Sequence, residues 1–181
     1  MPDLLKFGLC GINGGVTSYP EALTQVAQAA ETAGFDSLWA GEHHVIATSS
    51  QMIPATSRFL NPLVALTFLA ARTTTIRLGT GVVVLPQRSP LVLAKQVASL
   101  QALSGGRLLL GIGAGYLEPE LLALGVPMTE RGSRTDEFLA AMRAIWYGGR
   151  PEFHGRHVSF SGVQARPRPG PVPIEIGRAH V

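Results

Sequence analysis

Short apolar runs alternate along this chain with amphipathic stretches that open on helix-start signals, and glycine-containing loops join the two. The runs begin near Leu5 (LKFGLCG), Ser37 (SLWAG), Ile76 (IRLGTGVVVL) and Arg107 (RLLLGIG), at spacings of 32, 39 and 31 residues. Each interval has room for a crossover helix, which parallel strands require. Ser18 followed by Glu21 predicts a capping box, and Leu23, Val26, Ala27 and Ala30 recur at helical spacing until Gly34 ends the run. Asn61-Pro62 and Ser89-Pro90 each set a capping side chain before a proline at the first helical position. The stripes Leu63, Leu66, Leu69 and Leu93, Val97, Leu100 follow them. A further helix is predicted from about Ser133 to Tyr147, burying Phe138, Met142, Ile145 and Trp146.

Past Gly149 the pattern changes. Glu152 to Gly155 and His157 to Phe160 read as a short hairpin, a proline-rich stretch runs from Arg166 to Pro173, and one more apolar run starts at Ile174. This reads as an insertion before a fifth strand, in one domain covering 1–181. Strands alternating with helices predict the α/β class with a parallel sheet, either an open doubly wound sheet or a (β/α)8 barrel. The period does not choose between them, but in both the chemistry gathers at the carboxyl ends of the strands.

Composition narrows the partners. The chain has 181 residues, 46% hydrophobic and 15% charged, with mean hydropathy +0.23, enough for a sizeable core. Cys10 is the single cysteine, so an internal disulfide is impossible and a reducing compartment fits. The start, Met1-Pro2-Asp3, lacks signal-peptide character, and no apolar run nears the ~20 residues of a membrane span. A cytoplasmic location with no membrane partner is therefore expected. The net charge of +3 arises after Gly149, where Arg150, Arg156, Arg166, Arg168 and Arg178 face only Glu152 and Glu175. Those arginines lie among prolines and glycines, form no basic helix face, and argue against a nucleic-acid partner.

At the predicted active ends, the second strand closes on Glu42-His43-His44 and enters a long loop reaching Leu60. Adjacent residues on an extended segment point to opposite sides, so one histidine at most is expected to face a pocket. Turn capping by Glu42 and simple exposure of a histidine is the competing reading. His154 and His157 fall in the hairpin without further ligands at metal spacing, so no metal is expected. The third strand carries Gly79 and Gly81, and the fourth carries Gly111, Gly113 and Gly115. The latter is GxGxG, not the GxGxxG of a dinucleotide site. Two neighbouring strands without side chains at their active ends offer a planar ligand bare backbone, or else mark tight packing around a rim. GxSxG, P-loop and HExxH motifs are absent from the sequence.

The strings AGFDSLWAGEHH (Ala33 to His44), IRLGTGVVVLPQRSPLVLAKQVASL (Ile76 to Leu100) and LSGGRLLLGIGAGYL (Leu103 to Leu117) together resemble the luciferase-like monooxygenase superfamily, and in particular its coenzyme F420-dependent oxidoreductase branch. RGSRTDEFLAAMRAIW and FHGRHVSFSGV are similar to that branch as well. The resemblance implies a (β/α)8 barrel of the bacterial luciferase type that binds a flavin or deazaflavin at the strand ends. His43 matches the histidine beside the reactive ring, and Glu42 matches its acidic neighbour, expected to position it. Thr80, Gly81 and Val82 match the cofactor-binding end of the third strand, with a cis peptide at Gly81-Val82 forming a bulge behind the ring. Gly113, Ala114 and Gly115 match the fourth-strand segment that borders it.

The implied activity is hydride transfer between F420 and a small organic substrate, with a homodimer expected at full length. The alternatives are an FMN-dependent monooxygenase and a non-catalytic half-barrel that binds a cofactor or partner. Tyr116 stands where sugar-phosphate dehydrogenases of the superfamily carry a proton-donating glutamate, which removes support for that substrate class. Four to five βα units fit, against the eight units and ~250 residues typical of a barrel, so the chain reads as cut short. The ending Glu175 to Val181 matches a peptide encoded by a common sequencing adapter and is expected to be non-native.

Overall fold

In the computed structural model, which describes residues 5–177, the alternating pattern becomes a parallel sheet with helices between successive strands. The strands are β1 (Gly8–Cys10), β2 (Ser37–Ala40), β3 (Arg77–Thr80), β4 (Val83–Val84), β5 (Leu108–Gly113) and, after a two-stranded hairpin of β6 (Phe153–His154) and β7 (Ser159–Phe160), β8 (Ile174–Ile176). Order in the sheet is β1-β2-β3-β5, with β4 and β8 also on β5, every pair parallel. The hairpin pairs antiparallel, as read from sequence.

β3 and β4 are one stave interrupted by a cis peptide at Gly81-Val82, so β5 pairs β3 at Leu108 and Leu109 and β4 at Ile112 and Gly113. The interruption sits where the resemblance places a bulge. Glu175 and Ile176 pair with Gly111 and Ile112. Arg178 to Val181, the rest of the expected non-native ending, lie outside the described residues.

The helices are α1 (Pro20–Thr32), α2 (Pro62–Ala70), α3 (Pro90–Leu103), α4 (Glu118–Ala123) and α5 (Arg131–Tyr147). They cover the sheet through the stripes seen in the sequence: Leu63, Leu66 and Leu69, then Leu93, Val97 and Leu100, then Phe138, Met142, Ile145 and Trp146 are all buried. The Trp146 indole N–H donates to the Ala94 carbonyl oxygen at 2.9 Å, so its polar atom is satisfied inside the α3–α5 contact. Asn61 caps α2 as predicted, accepting from the Leu63 and Val64 amides.

The predicted capping box at α1 is not formed. Tyr19 is the N-cap, Pro20 opens the helix, and the Ser18 hydroxyl donates to the Gly15 carbonyl inside the preceding turn. Ser89 sits at the N-cap of α3 without a capping side-chain bond. α5 starts at Arg131, ahead of the predicted Ser133, and α4 was not predicted. Among the described residues no helix is long and apolar enough to cross a membrane.

At the amino ends of the strands, Glu31 at the end of α1 accepts the amides of Thr74 (2.9 Å), Thr75 (2.6 Å) and Ile76 (2.9 Å). Burial opposes ionisation, but these three amides and the Thr75 hydroxyl outweigh it and hold the Glu31 pKa at about 2. The unfolded chain therefore takes up this proton first. The stabilisation is complete above pH ~4.5 and is lost as pH falls toward ~2. Urea unfolding followed across that window should show a pH slope that Glu31→Gln flattens, and an unchanged slope in the variant would remove Glu31 as its source.

Candidate active site

The carboxyl ends of the strands open onto a cavity of about 610 Å³. Of the residues singled out from sequence, Glu42, His43, Gly81, Val82, Gly113, Ala114 and Gly115 line it, together with Phe59, Gln87, Tyr116, Glu120 and Arg131. Thr80 does not. It is fully buried and its hydroxyl donates to the Gly111 carbonyl oxygen at 2.7 Å, so its polar group serves the β3–β5 contact.

The segment after β2 is held from beneath by Asn13, which is 1% exposed. Its side-chain amide donates to the Gly41 and Leu60 carbonyls (2.8 and 2.6 Å) and accepts the Gly41 N–H (2.9 Å), tying both ends of the long loop to the turn after β1. From that anchor the next two histidines diverge, as alternation predicts. His43 faces the cavity, with its Nδ1 3.1 Å from Glu120 Oε2 and its ring edge-on to Phe59 at 5.2 Å between centroids. His44 turns back toward Glu42, Nε2 to Oε1 at 3.4 Å.

Glu120, on α4, is 4% exposed and was missed by sequence reasoning. Burial raises its carboxyl. The hydrogen bond and charge of His43 and the amides of His44 and Val45 outweigh burial and bring it below the usual glutamate range. The His44 amide donates to Glu120 Oε1 at 2.7 Å. A carboxylate kept charged behind Nδ1 holds a proton on that nitrogen and leaves Nε2 as the ring atom available to a ligand.

The expectation that Glu42 positions His43 is therefore corrected: Glu120 holds that ring. The Glu42 carboxylate, on a fully buried side chain, accepts the Val84 amide (2.7 Å) and the Arg88 Nε–H (3.0 Å) and also pairs with Arg88 Nη2. It clamps the segment that follows the cis peptide.

Of the two readings of the strand-end glycines, rim packing accounts for Gly111 and Gly113, whereas a Cβ on Gly81 would meet only Trp39, at 3.6 Å. A Cβ on Gly111 would fall on the Thr80 carbonyl oxygen, and one on Gly113 would come within 2.8 Å of Val82 Cγ2. Their bareness is demanded by the neighbouring stave, as rim packing would have it. Gly115, at φ +84°, satisfies a left-handed turn.

The family model described as luciferase-like monooxygenase matches residues 8–179. The chain is 34% identical over 166 residues to an uncharacterized protein of Mycobacterium tuberculosis, covering 84% of this chain and 59% of that protein. It is 32% identical over 151 residues to the oxygenase component of a flavin-dependent trigonelline monooxygenase of Acinetobacter baylyi, covering 82% of this chain and 39% of the other. In structure it superposes with a TM-score of 0.78 on an F420-dependent secondary alcohol dehydrogenase solved with an F420-acetone adduct, at 21% identity, covering 94% of this chain and 51% of that one. The chain thus spans about half the length of the proteins it matches.

Proposed function

Since the chain belongs to the luciferase-like monooxygenase family, we propose that it forms the cofactor-facing part of a (β/α)8 oxidoreductase that transfers hydride between F420 and a small organic substrate. The observation that carries this reading is the His43–Glu120 pair on the wall of a cavity at the carboxyl ends of the strands. The F420 assignment is supported by the sequence strings from Ala33 to Leu117. FMN, with oxygen as co-substrate, is the second reading, supported by the flavin-dependent relative.

A flavin-type ring suits the residues present. About 610 Å³ lies within the range of small-molecule sites, and the wall is largely apolar with a few polar groups. When bound, such a ring supplies hydride chemistry that no side chain provides. Gly81, Val82, Gly113, Ala114 and Gly115 would hold it. His43 Nε2 takes the proton of a substrate hydroxyl as the carbon is oxidised, and returns it in the reverse direction. Glu120 stabilises the imidazolium formed. Glu42 holds the Val84–Arg88 segment in place, and Phe59 limits the swing of the imidazole.

Titration of the 181-residue chain with F420 and with FMN, followed by absorbance and fluorescence, separates the readings. Preferential binding of F420 is the expected result. A preference for FMN would transfer the assignment to the monooxygenase reading. Failure of both rings to bind would sink the two together and leave the non-catalytic half-barrel.

A further inference from the structure

Phe59 stands near the end of the long loop after β2, lines the cavity, and meets the His43 imidazole at 5.2 Å between ring centroids. Its backbone is fixed by an isolated antiparallel bridge to Gly14. The Gly15 N–H to the Arg58 carbonyl (3.0 Å) and the Leu60 N–H to the Asn13 carbonyl (2.9 Å) flank that bridge. The ring is seated as well. A Cβ on Gly14 would come within 2.9 Å of Phe59 Cε1 and 3.2 Å of Cδ1, so one edge of the phenyl ring occupies the space that a side chain at 14 would need. Gly14 has φ −120° and ψ 157°, a conformation open to any residue. Its missing Cβ therefore serves the ring and not the turn. Any ligand hydrogen-bonded to the imidazole has as its neighbour a phenyl ring already backed by main chain.

We infer that Phe59, seated on Gly14, limits the size of the groups on the substrate's hydroxyl-bearing carbon, a deepening that rests on the proposed proton transfer at His43 Nε2. The phenyl ring offers neither charge nor a conventional hydrogen bond, so the groups it admits are short alkyl chains. The substrate class is then small aliphatic alcohols. Phe59 is a specificity-determining residue, and Gly14, which does not line the cavity, is a positioning residue acting through it.

The test titrates the isotope-labelled 181-residue chain with isopropanol and with cyclohexanol, with and without F420, and reads Kd values from the His43 ring signals by NMR. Phe59→Ala, Gly14→Ala and the double variant are compared with the unaltered chain, and each is unfolded in urea. The unaltered chain is expected to favour isopropanol about tenfold, the lower end of what apolar pockets achieve by size. In Phe59→Ala the ratio should fall to one or invert, since the larger alcohol then finds room to bury its extra methylenes. Gly14→Ala, by pushing the ring into the cavity, should sharpen the preference, and should have no effect on it once the phenyl ring is gone. Where Phe59→Ala fails to fold, Phe59→Leu takes its place and should shift the ratio in the same direction. A preference that survives loss of the phenyl ring would overturn the inference and leave the proposed function standing. So would an unaltered chain whose His43 signals respond to neither alcohol. A lowered urea midpoint in Gly14→Ala with unchanged preference would make the seat purely structural. Failure of F420 to bind, with the alcohol ratios as expected, would instead remove the cofactor reading and keep the role of Phe59.

Discussion

Replacing Glu42 by glutamine should lower the free energy of unfolding by about 3–5 kcal/mol, the usual consequence of stranding one member of a buried ion pair. The Glu42 side chain has no solvent exposure and that of Arg88 only 10%, so water cannot take over the role of the missing carboxylate. The neutral amide can still accept the Val84 N–H, which confines the loss mainly to the uncompensated guanidinium. A double variant, Glu42→Gln with Arg88→Met, should recover most of the stability, since it keeps an acceptor for the buried Val84 N–H and removes the uncompensated guanidinium. Urea unfolding of Glu42→Gln and of the double variant provides the measurement. A single-variant loss below about 1 kcal/mol, the range of exposed pairs, would mean that the pair is solvated in solution.

The second large effect is expected on turnover. In a chain extended to the length of its relatives, His43→Ala should reduce kcat by about 10²–10⁴-fold, the range attributed to a positioned acid or base. Cofactor Kd should change little, because the imidazole makes one side-chain hydrogen bond and one edge contact, while the unfolding midpoint should fall modestly, since the buried Glu120 carboxylate loses one partner and keeps the His44 amide. Glu120→Gln should give a smaller loss of the same kind, with an altered pH–rate profile, since the amide cannot stabilise the imidazolium. Turnover of His43→Ala within tenfold of the unaltered enzyme would exclude the proton-transfer role.

Where a feature depends on neighbours in sequence, it was legible. The leucine stripes of α2 and α3 announce buried faces by spacing alone, and Asn61-Pro62 specifies its cap because all the partners lie within one turn. Ser18 and Glu21 have the same local grammar, yet Ser18 is drawn into the turn before α1 by the Gly15 carbonyl. At the site, Glu42 and His43 stand out by residue type, but their partners do not. Glu120 lies 77 residues from His43, on a six-residue helix whose EPELLA sequence shows no sustained period. Asn13 is an ordinary loop residue by composition. What singles it out is burial together with the number of hydrogen bonds made, quantities that exist only once the chain is folded. The acidic residue followed by leucines and Gly125 was the available clue to Glu120.

That short helix ties the site to a small satellite of the interior. α4 is packed through Leu121 against Val84 and Val126, with Met128 alongside, apart from the main core. Helices this brief have little stability of their own and persist through such contacts. The partner of the imidazole and the clamped turn carrying Gln87 therefore share one minor apolar seam. Trimming Leu121 or Val126, neither of which bonds to His43, would let the carboxylate drift from the ring, so variation tuning this pocket can arise behind its wall as readily as on it.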